Sequence, residues 1–430
     1  MAPPETVEGS WISDSMPSEL APPMMGGPDV VCSDNDTAQA EFHRFTGVLH
    51  DICIGHGTEL SAELRAHRRM WVKAEYLSLW AKGNPLPPLV TTSPINTPQA
   101  GAGVLPAAET LFGNERVDDD ARHGGRLTFG CWLVDGEFWG LEGHYFTLDE
   151  ASTNFTASST FSDGIGPDDI ILARPFFNVL TNQQDAALVA FPDFDLLGTI
   201  VDLDGTVDVR TSSNVQSAGA LLRKLLWVDF ASNWRVDLLG GYRFFRLDDS
   251  VTIDDEFTTM GGLLAPTTFA STDDFQAQNE FHGGEVGVTA QVFEGRWSLE
   301  LLGKVALGNN NESVRINGFN SISVLGTPVT TPGGLLTQPT NIGEFSRNEF
   351  AVLPEGALTL RCDVTCNMRA SVGYTVMYLD RVVRSGDQID VALNPSQIGG
   401  TLVGDPRPAF AFRENSFWVQ GITAGVEYRW

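Results

Sequence analysis

From Trp71 to Trp430 the chain alternates apolar and polar side chains with a period of two, broken at intervals by turn-forming residues. An extended chain sends successive side chains to opposite faces, so the pattern calls for strands; no helical stripe longer than a couple of turns competes with it. In Met70–Ala81, Val72, Ala74, Tyr76 and Trp80 share one face while Lys73 and Glu75 take the other. Met368 to Tyr378 sets Val372, Tyr374 and Val376 against Arg369, Ser371 and Thr375. The last segment sets Trp418, Ile422, Ala424, Val426, Tyr428 and Trp430 against Thr423, Glu427 and Arg429. One face is greasy and the other is charged.

A soluble sandwich also alternates, and the aromatic residues discriminate between the two. Trp71, Trp80, Tyr145, Trp227, Tyr242, Trp297, Tyr378, Trp418 and Trp430 fall near segment ends, as in the interfacial girdles of membrane barrels, while segment middles are aliphatic or small. A sandwich would hold them centrally. Short links near 134–137, 230–233, 293–296 and 363–367 alternate with long ones near 81–123, 150–213, 249–276, 310–346 and 381–415. The expected fold is therefore all-β: a closed antiparallel transmembrane β-barrel over 70–430, of about ten strands, with short periplasmic turns and long extracellular loops. Its first and last strands meet at the short-turn end, leaving no open edge.

The charged face would line the lumen with Lys73, Glu75, Arg126, Glu142, Arg243, Glu300, Lys304, Glu355, Arg361, Arg369 and Glu427. Both signs packed inside a narrow circumference should pair, because an unpaired charge there pays desolvation, and pairing narrows the channel. Arg223-Lys224 resists the pattern: either parity sends one cation toward lipid, at about 2–4 kcal/mol at mid-depth and far less near the interface. Trp227 nearby favours the interface, or a bulge resets the face.

With 27 Lys+Arg against 55 Asp+Glu, net −28, the chain is too acidic to neutralise nucleic-acid phosphates, and at 42% hydrophobic residues it is too apolar to be a disordered acidic polymer. No run approaches the roughly 18 apolar residues of a spanning helix. Residues 1–69, rich in Pro, Ser, Asp and Glu, read as a mostly disordered periplasmic segment, in which no export-signal pattern is visible. His50, Cys53 and His56 there match no zinc spacing. Cys362 and Cys366 flank a short turn and are expected to form a disulfide in an oxidising compartment, with Cys131 free and facing lipid.

The order of several local motifs resembles one family. These are Trp71-Val72-Lys73-Ala74-Glu75-Tyr76-Leu77, Pro87-Pro88-Leu89-Val90-Thr91-Thr92, Leu111-Phe112-Gly113, Gly124-Gly125-Arg126-Leu127 with Trp132, and Trp139-Gly140-Leu141-Glu142-Gly143. Arg174-Pro175-Phe176, Leu238-Leu239-Gly240-Gly241-Tyr242-Arg243, Gly373-Tyr374, Val383-Arg384-Ser385-Gly386-Asp387-Gln388-Ile389 and Trp418-Val419-Gln420-Gly421 continue the series. Together they resemble the putative β-barrel porin family seven of planctomycete-type bacteria, departing from it at Ser385, where Pro is usual, and at Cys131, where Tyr is usual. The resemblance implies an outer-membrane barrel. The closing Tyr428 and Trp430 resemble the carboxy-terminal signal read by the outer-membrane insertion machinery.

Three functions are then in view. The first is a porin-like barrel in the bacterial outer membrane with a narrow or plugged lumen and at most limited small-solute permeation; Ile170 to Val201, too apolar for a free loop, would supply a cap or plug. The second is a structural, surface-exposed protein with acidic loops. Its carboxylates, Asp202-Leu203-Asp204-Gly205 above all, would take divalent cations, with the lipid bilayer as the other partner. The remote third is a rim hydrolase, for which His123, His144 and His282 are the barrel's histidines; no Asp-x-His pair or Gly-x-Ser-x-Gly elbow accompanies them. No enzyme activity and no cofactor is expected.

Overall fold

The computed structural model describes residues 70–133, 138–196, 198–229, 233–261, 266–324 and 326–430. The segment 1–69, its His and Cys residues and the expected turn at 134–137 lie outside them, as does most of the turn at 230–233. In chain order the strands are β1 (Met70–Ala81), β2 (Asn84–Pro85), β3 (Val90–Thr92), β4 (Glu109–Phe112), β5 (Arg116–Val117) and β6 (Ala121–Trp132). Then come β7 (Trp139–Leu148), β8 (Ala151–Ser159), β9 (Leu172–Asn178), β10 (Gln183–Leu196), β11 (Thr199–Asp229), β12 (Trp234–Met260) and β13 (Thr267–Glu294). The last are β14 (Trp297–Val324), β15 (Thr327–Pro332), β16 (Gly343–Asp363), β17 (Met368–Val383), β18 (Ala392–Leu393) and β19 (Glu414–Arg429).

All but β2 and β5 join one sheet of seventeen strands. Its antiparallel pairings run from β1 to β6, β7, β11, β12 and β13. They continue through β14, β16, β17 and β19, and β19 pairs back to β1, with Trp71 opposite Arg429. At seventeen, the strand count of the sheet corrects the expectation of about ten, although ten strands make up the ring of pairings just traced. The extra strands come from stretches expected as long loops.

Two causes account for the difference. First, β11 to β14 are 31, 27, 28 and 28 residues long, whereas a bilayer crossing takes about 9–11. Most of 249–276 and much of 310–346 simply continues the strands, and β12 and β13 pair from Trp234↔Val292 to Thr259↔Thr267. Second, the stretches 81–123, 150–213 and 381–415 fold back as short strands. There β9 pairs with β10, β3 and, in parallel, β18, while β3 pairs with β4. The chain of 170–201, expected as a cap, folds as β9 and β10, and β10 hooks onto β11 through Phe194↔Val201. β8 extends the wall by pairing with the far half of β11, as β7 does with the near half. The turns follow local chemistry: Gly295 and Asn233 take positive φ of 60° and 55° at hairpin ends, a conformation open to Gly and tolerated by Asn.

The result is two zones on shared strands. Near the short turns, Trp139, Leu141, Trp234, Leu238, Tyr242, Val286, Trp297, Leu301, Leu358, Val372 and Ile422 are exposed on the outer face. Behind them Asp237, Arg243, Glu285, Glu300, Lys304, Glu355, Arg361 and Glu427 are buried. Water-soluble packing is inverted here. Farther along, the order returns to normal: Val207, Val209, Val251, Ile253, Phe275 and Val314 of the wall are buried against Val90, Leu172, Phe176, Val189 and Leu393 of the inner strands. We call this second zone the lobe. Trp71 corrects the girdle expectation, since its side chain turns inward against Trp132, ring centroids 5.2 Å apart, in the space left by Gly130.

Candidate functional site

The interior of the strand ring is the place where charge is buried most densely, and the register explains how it gets there. Inward positions on neighbouring strands fall side by side, as Gly287↔Lys304↔Glu355 and Gln291↔Glu300↔Thr359 do on β13, β14 and β16. Lys304 Nζ lies 3.2 Å from Glu355 and 3.3 Å from Glu285. From β12, Arg243 Nη1 reaches Glu355 at 3.0 Å, Glu285 at 3.7 Å and His144 Nε2 at 2.8 Å; from β6, Arg126 approaches Glu355 at 3.9 Å. Glu355 thus gathers cations from three other strands.

A second knot sits nearer the turns. Arg361 pairs with Glu300, which also accepts from Gln291 Nε2 at 2.6 Å. Arg223 lies 3.2 Å from Glu142 and 3.7 Å from Asp237, and Asp237 is also held by Arg235 at 3.0 Å. Lys73 meets Glu75 at 2.6 Å, Arg369 meets Asp363 at 2.6 Å, and Glu427 pairs with Arg429. Every side chain named from the sequence as a lumen charge has a charged partner. Arg223-Lys224 resolves through geometry: Arg223 points in, Lys224 points out with its Nζ 5.1 Å from the Trp139 ring, and a bulge between Leu225 and Trp227 follows.

Above the charged layer, Leu77, Phe146, Phe245, Phe281, Leu353, Leu379 and Phe417 are packed together, each 1% exposed or less. Sequence reasoning missed this layer, because these side chains sit in the same inward parity as the charges. It also missed two buried arginines. Arg384, in the loop after β17, pairs with Asp249 of β12 and donates to Lys82 O at 3.0 Å. Arg174 of β9 bridges Asp255 of β12 at 2.6 Å and Asp273 of β13 at 2.5 Å. Asp273 in turn accepts from Thr337 N at 2.8 Å and Leu336 N at 3.0 Å. Both arginines were visible only as parts of the motifs Arg174-Pro175-Phe176 and Val383-Arg384-Ser385.

Asp204 accepts from Phe161 N at 2.6 Å and Ser162 N at 3.2 Å, and Asp202 accepts from Asp193 N at 3.0 Å. No group of three or more metal-ligating side chains assembles among the described residues. The expected Cys362–Cys366 bond is corrected: Cys362 is a free thiol, and Cys366 is disulfide-bonded elsewhere. The register gives the reason. Strand β16 runs on past Cys362, which faces Ala370, so Cys366 sits in the turn rather than across from it. Cys131 is free. His123 and His282 hydrogen-bond through Nδ1 to the outward Tyr76 and Tyr242 at 2.7 and 2.6 Å. The remaining barrel histidine, His144, accepts from an arginine, so the three do not converge on one another.

Comparison with known proteins decides the family. The model for Putative beta barrel porin-7 matches residues 71–430. The chain belongs to that family. The match begins at Trp71, where the alternation begins, and takes in both zones. A search of curated proteins finds no match. Among solved structures the chain is similar to the outer membrane protease OmpT of Escherichia coli, at 9% identity over 84% of this chain and 97% of that one, TM-score 0.37. A Pseudomonas aeruginosa FadL homologue matches at 8% identity over 85% and 90%, TM-score 0.22. The Pseudomonas putida toluene transporter TodX matches at 8% identity over 85% and 90%, TM-score 0.16.

Proposed function

We propose that the ten mutually paired long strands close a barrel across the bacterial outer membrane, with short turns in the periplasm and the lobe outside. On this reading the protein is sealed at rest and works as a membrane anchor for a surface lobe, with no catalysis. The observation that carries the reading is the interior itself. A charged layer knotted around Glu355 is followed by an apolar layer around Phe245 and Phe281, and then by the inner strands of the lobe. Each alone opposes a continuous water column, since buried ion pairs resist separation and a packed apolar layer excludes water.

Conductance in a planar bilayer tests it. The wild type should show no steady current, and neither should a Glu300→Ala, Lys304→Ala double variant, because the apolar layer stands above both positions. Large stable openings in either would overturn the sealed reading. Orientation is tested separately: Thr252→Cys should react with an impermeant thiol reagent on intact cells and Glu294→Cys should not. A second reading, limited small-solute permeation after rearrangement of the inner charges, is supported by the family's description as a porin. It would show as brief openings that depend on voltage.

A further inference from the structure

At the end of the lobe farthest from the short turns, strands β10 to β13 together with Gln99 and Ala100 line a half-open cavity of about 730 Å³. A packing defect in a protein core is about the size of a water molecule or less, and ligand pockets run from about 300 to 1,000 Å³. The walls are Leu188, Phe194, Leu203, Phe257 and Phe269. Phe257 and Phe269 stack on each other, centroids 4.9 Å apart and 15° from parallel, which presents flat ring surface. Phe194 and Phe257 stay only partly buried against the small cluster around Ile171 and Phe191, so the protein does not fill this space with its own side chains.

The polar groups of the lining are few, and one is charged. Asp185 is held in place by Asn178 Nδ2 on Oδ2 and by Ala186 N on Oδ1, both at 2.9 Å, and a carboxylate has lone pairs left after two such bonds. Gln99 accepts from Asp195 N at 3.0 Å. Among the described residues no lysine or arginine lines the cavity, and the whole chain carries −28. A ligand with an anionic head would meet Asp185 with nothing to neutralise it. An ammonium would gain a carboxylate partner and aromatic faces together.

We propose that this cavity binds a small organic amine, with an aromatic or branched apolar body among the phenylalanines and its ammonium at Asp185. The site lies in the lobe, so it stands whether or not the barrel conducts. Calorimetric titration of the full chain in lipid nanodiscs tests it, with tryptamine and indolepropionate as probes and empty nanodiscs as the blank for lipid partition. Tryptamine should bind at least about tenfold more tightly than indolepropionate. Asp185→Asn, a near-isosteric change, should erase that preference. Ala187→Trp should fill the cavity and abolish binding while the barrel keeps its heat-modifiable migration. No tryptamine uptake beyond the blank, equal affinity for both probes, or an unchanged preference in Asp185→Asn would each overturn the proposal.

Discussion

The near and far halves of β12 share one backbone pattern and obey opposite solvent rules. From Trp234 to Phe244 the outward side chains are apolar and the inward Arg235, Asp237 and Arg243 are charged; from Ser250 onward the outward Thr252 and Asp254 are polar and the inward Val251 and Ile253 are fully buried. β13 makes the same change, from outward Val286 and Val288 to outward Thr272 and Asp274, with Phe275 buried inside. The period of two is therefore indifferent to solvent, and the sign of the alternation carries the environment. Where the sign flips, the outward side chains change from apolar to polar, and what lies inside changes from ion pairs to a conventional core.

The largest expected effect lies in the lobe. Removing one partner of a buried ion pair costs about 3–5 kcal/mol, so Arg174→Met, which leaves Asp255 and Asp273 without their shared cation, should release the inner strands from the wall. Limited proteolysis should cut between 160 and 198 while the trimmed barrel still migrates as a folded species on unheated gels. Loss of barrel migration together with the lobe would show the zones to be a single cooperative unit.

Next comes the outer face. Leu301→Arg puts a cation on the exposed apolar side of β14 and should cost about 2–4 kcal/mol at mid-depth, blocking assembly. Thr252→Arg, also outward but beyond the inversion, should fall within about 0.5 kcal/mol of the wild type. Equal effects at the two positions, read by denaturant-induced loss of heat-modifiable migration, would erase the distinction between the zones.

Smaller in energy, though not in consequence, is the terminal residue. Trp430 stacks on Tyr428 with centroids 5.8 Å apart, lies 6.4 Å from Phe129, and exchanges backbone hydrogen bonds with Met70 at 3.1 Å. Trp430→Ala keeps the backbone bonds and loses the ring contacts, worth about 0.5–1.5 kcal/mol each. If the closing aromatic also serves as the insertion signal, as we propose, assembly in cells should fail far more than that loss predicts, while refolding into detergent should proceed. Parallel, modest losses in both would reduce Trp430 to a packing residue.

The barrel zone was legible in the sequence because its two faces contrast sharply: Val372, Tyr374 and Val376 against Arg369 and Ser371 read directly as two faces. The lobe was not. The stretch 249–276, with Asp249, Asp254, Asp255, Asp273 and Asp274, read as a solvated acidic loop, although Ser250-Val251-Thr252-Ile253 alternates within it. Two of those carboxylates, Asp249 and Asp273, point inward to arginines more than a hundred and almost a hundred residues away in sequence, and no local pattern announces such a pairing. The apolar layer around Phe245 stayed hidden for a related reason: an inward aromatic just beyond the charged layer shares its parity with Arg243 and differs only in height along the strand.

Mild acid provides the last and smallest separation of the zones. In the lobe, burial pushes the carboxyls of Asp248, Asp255 and Asp274 above their ordinary range, against the opposing pull of Arg246 on Asp248, of Arg174 on Asp255 and of hydrogen bonds from Thr252 and Gln276 on Asp274. A carboxyl whose folded pKa exceeds its unfolded one binds its proton more readily in the folded state, so its contribution is fully present below the unfolded value and is lost as pH rises through the folded one. The lobe should therefore resist protease or denaturant better as pH falls from neutrality toward the carboxylate range, opposite to the common acid sensitivity of salt-bridged proteins. Asp255→Asn should not abolish this trend, since Asp248 and Asp274 lean the same way, but it should shrink it. A lobe that loosens steadily between about pH 7 and pH 5 would mean that the Arg174 bridge outweighs the burial of its partner carboxylates, and that the lobe is held to the wall mainly by charge instead of by the apolar contacts around Val251 and Leu172.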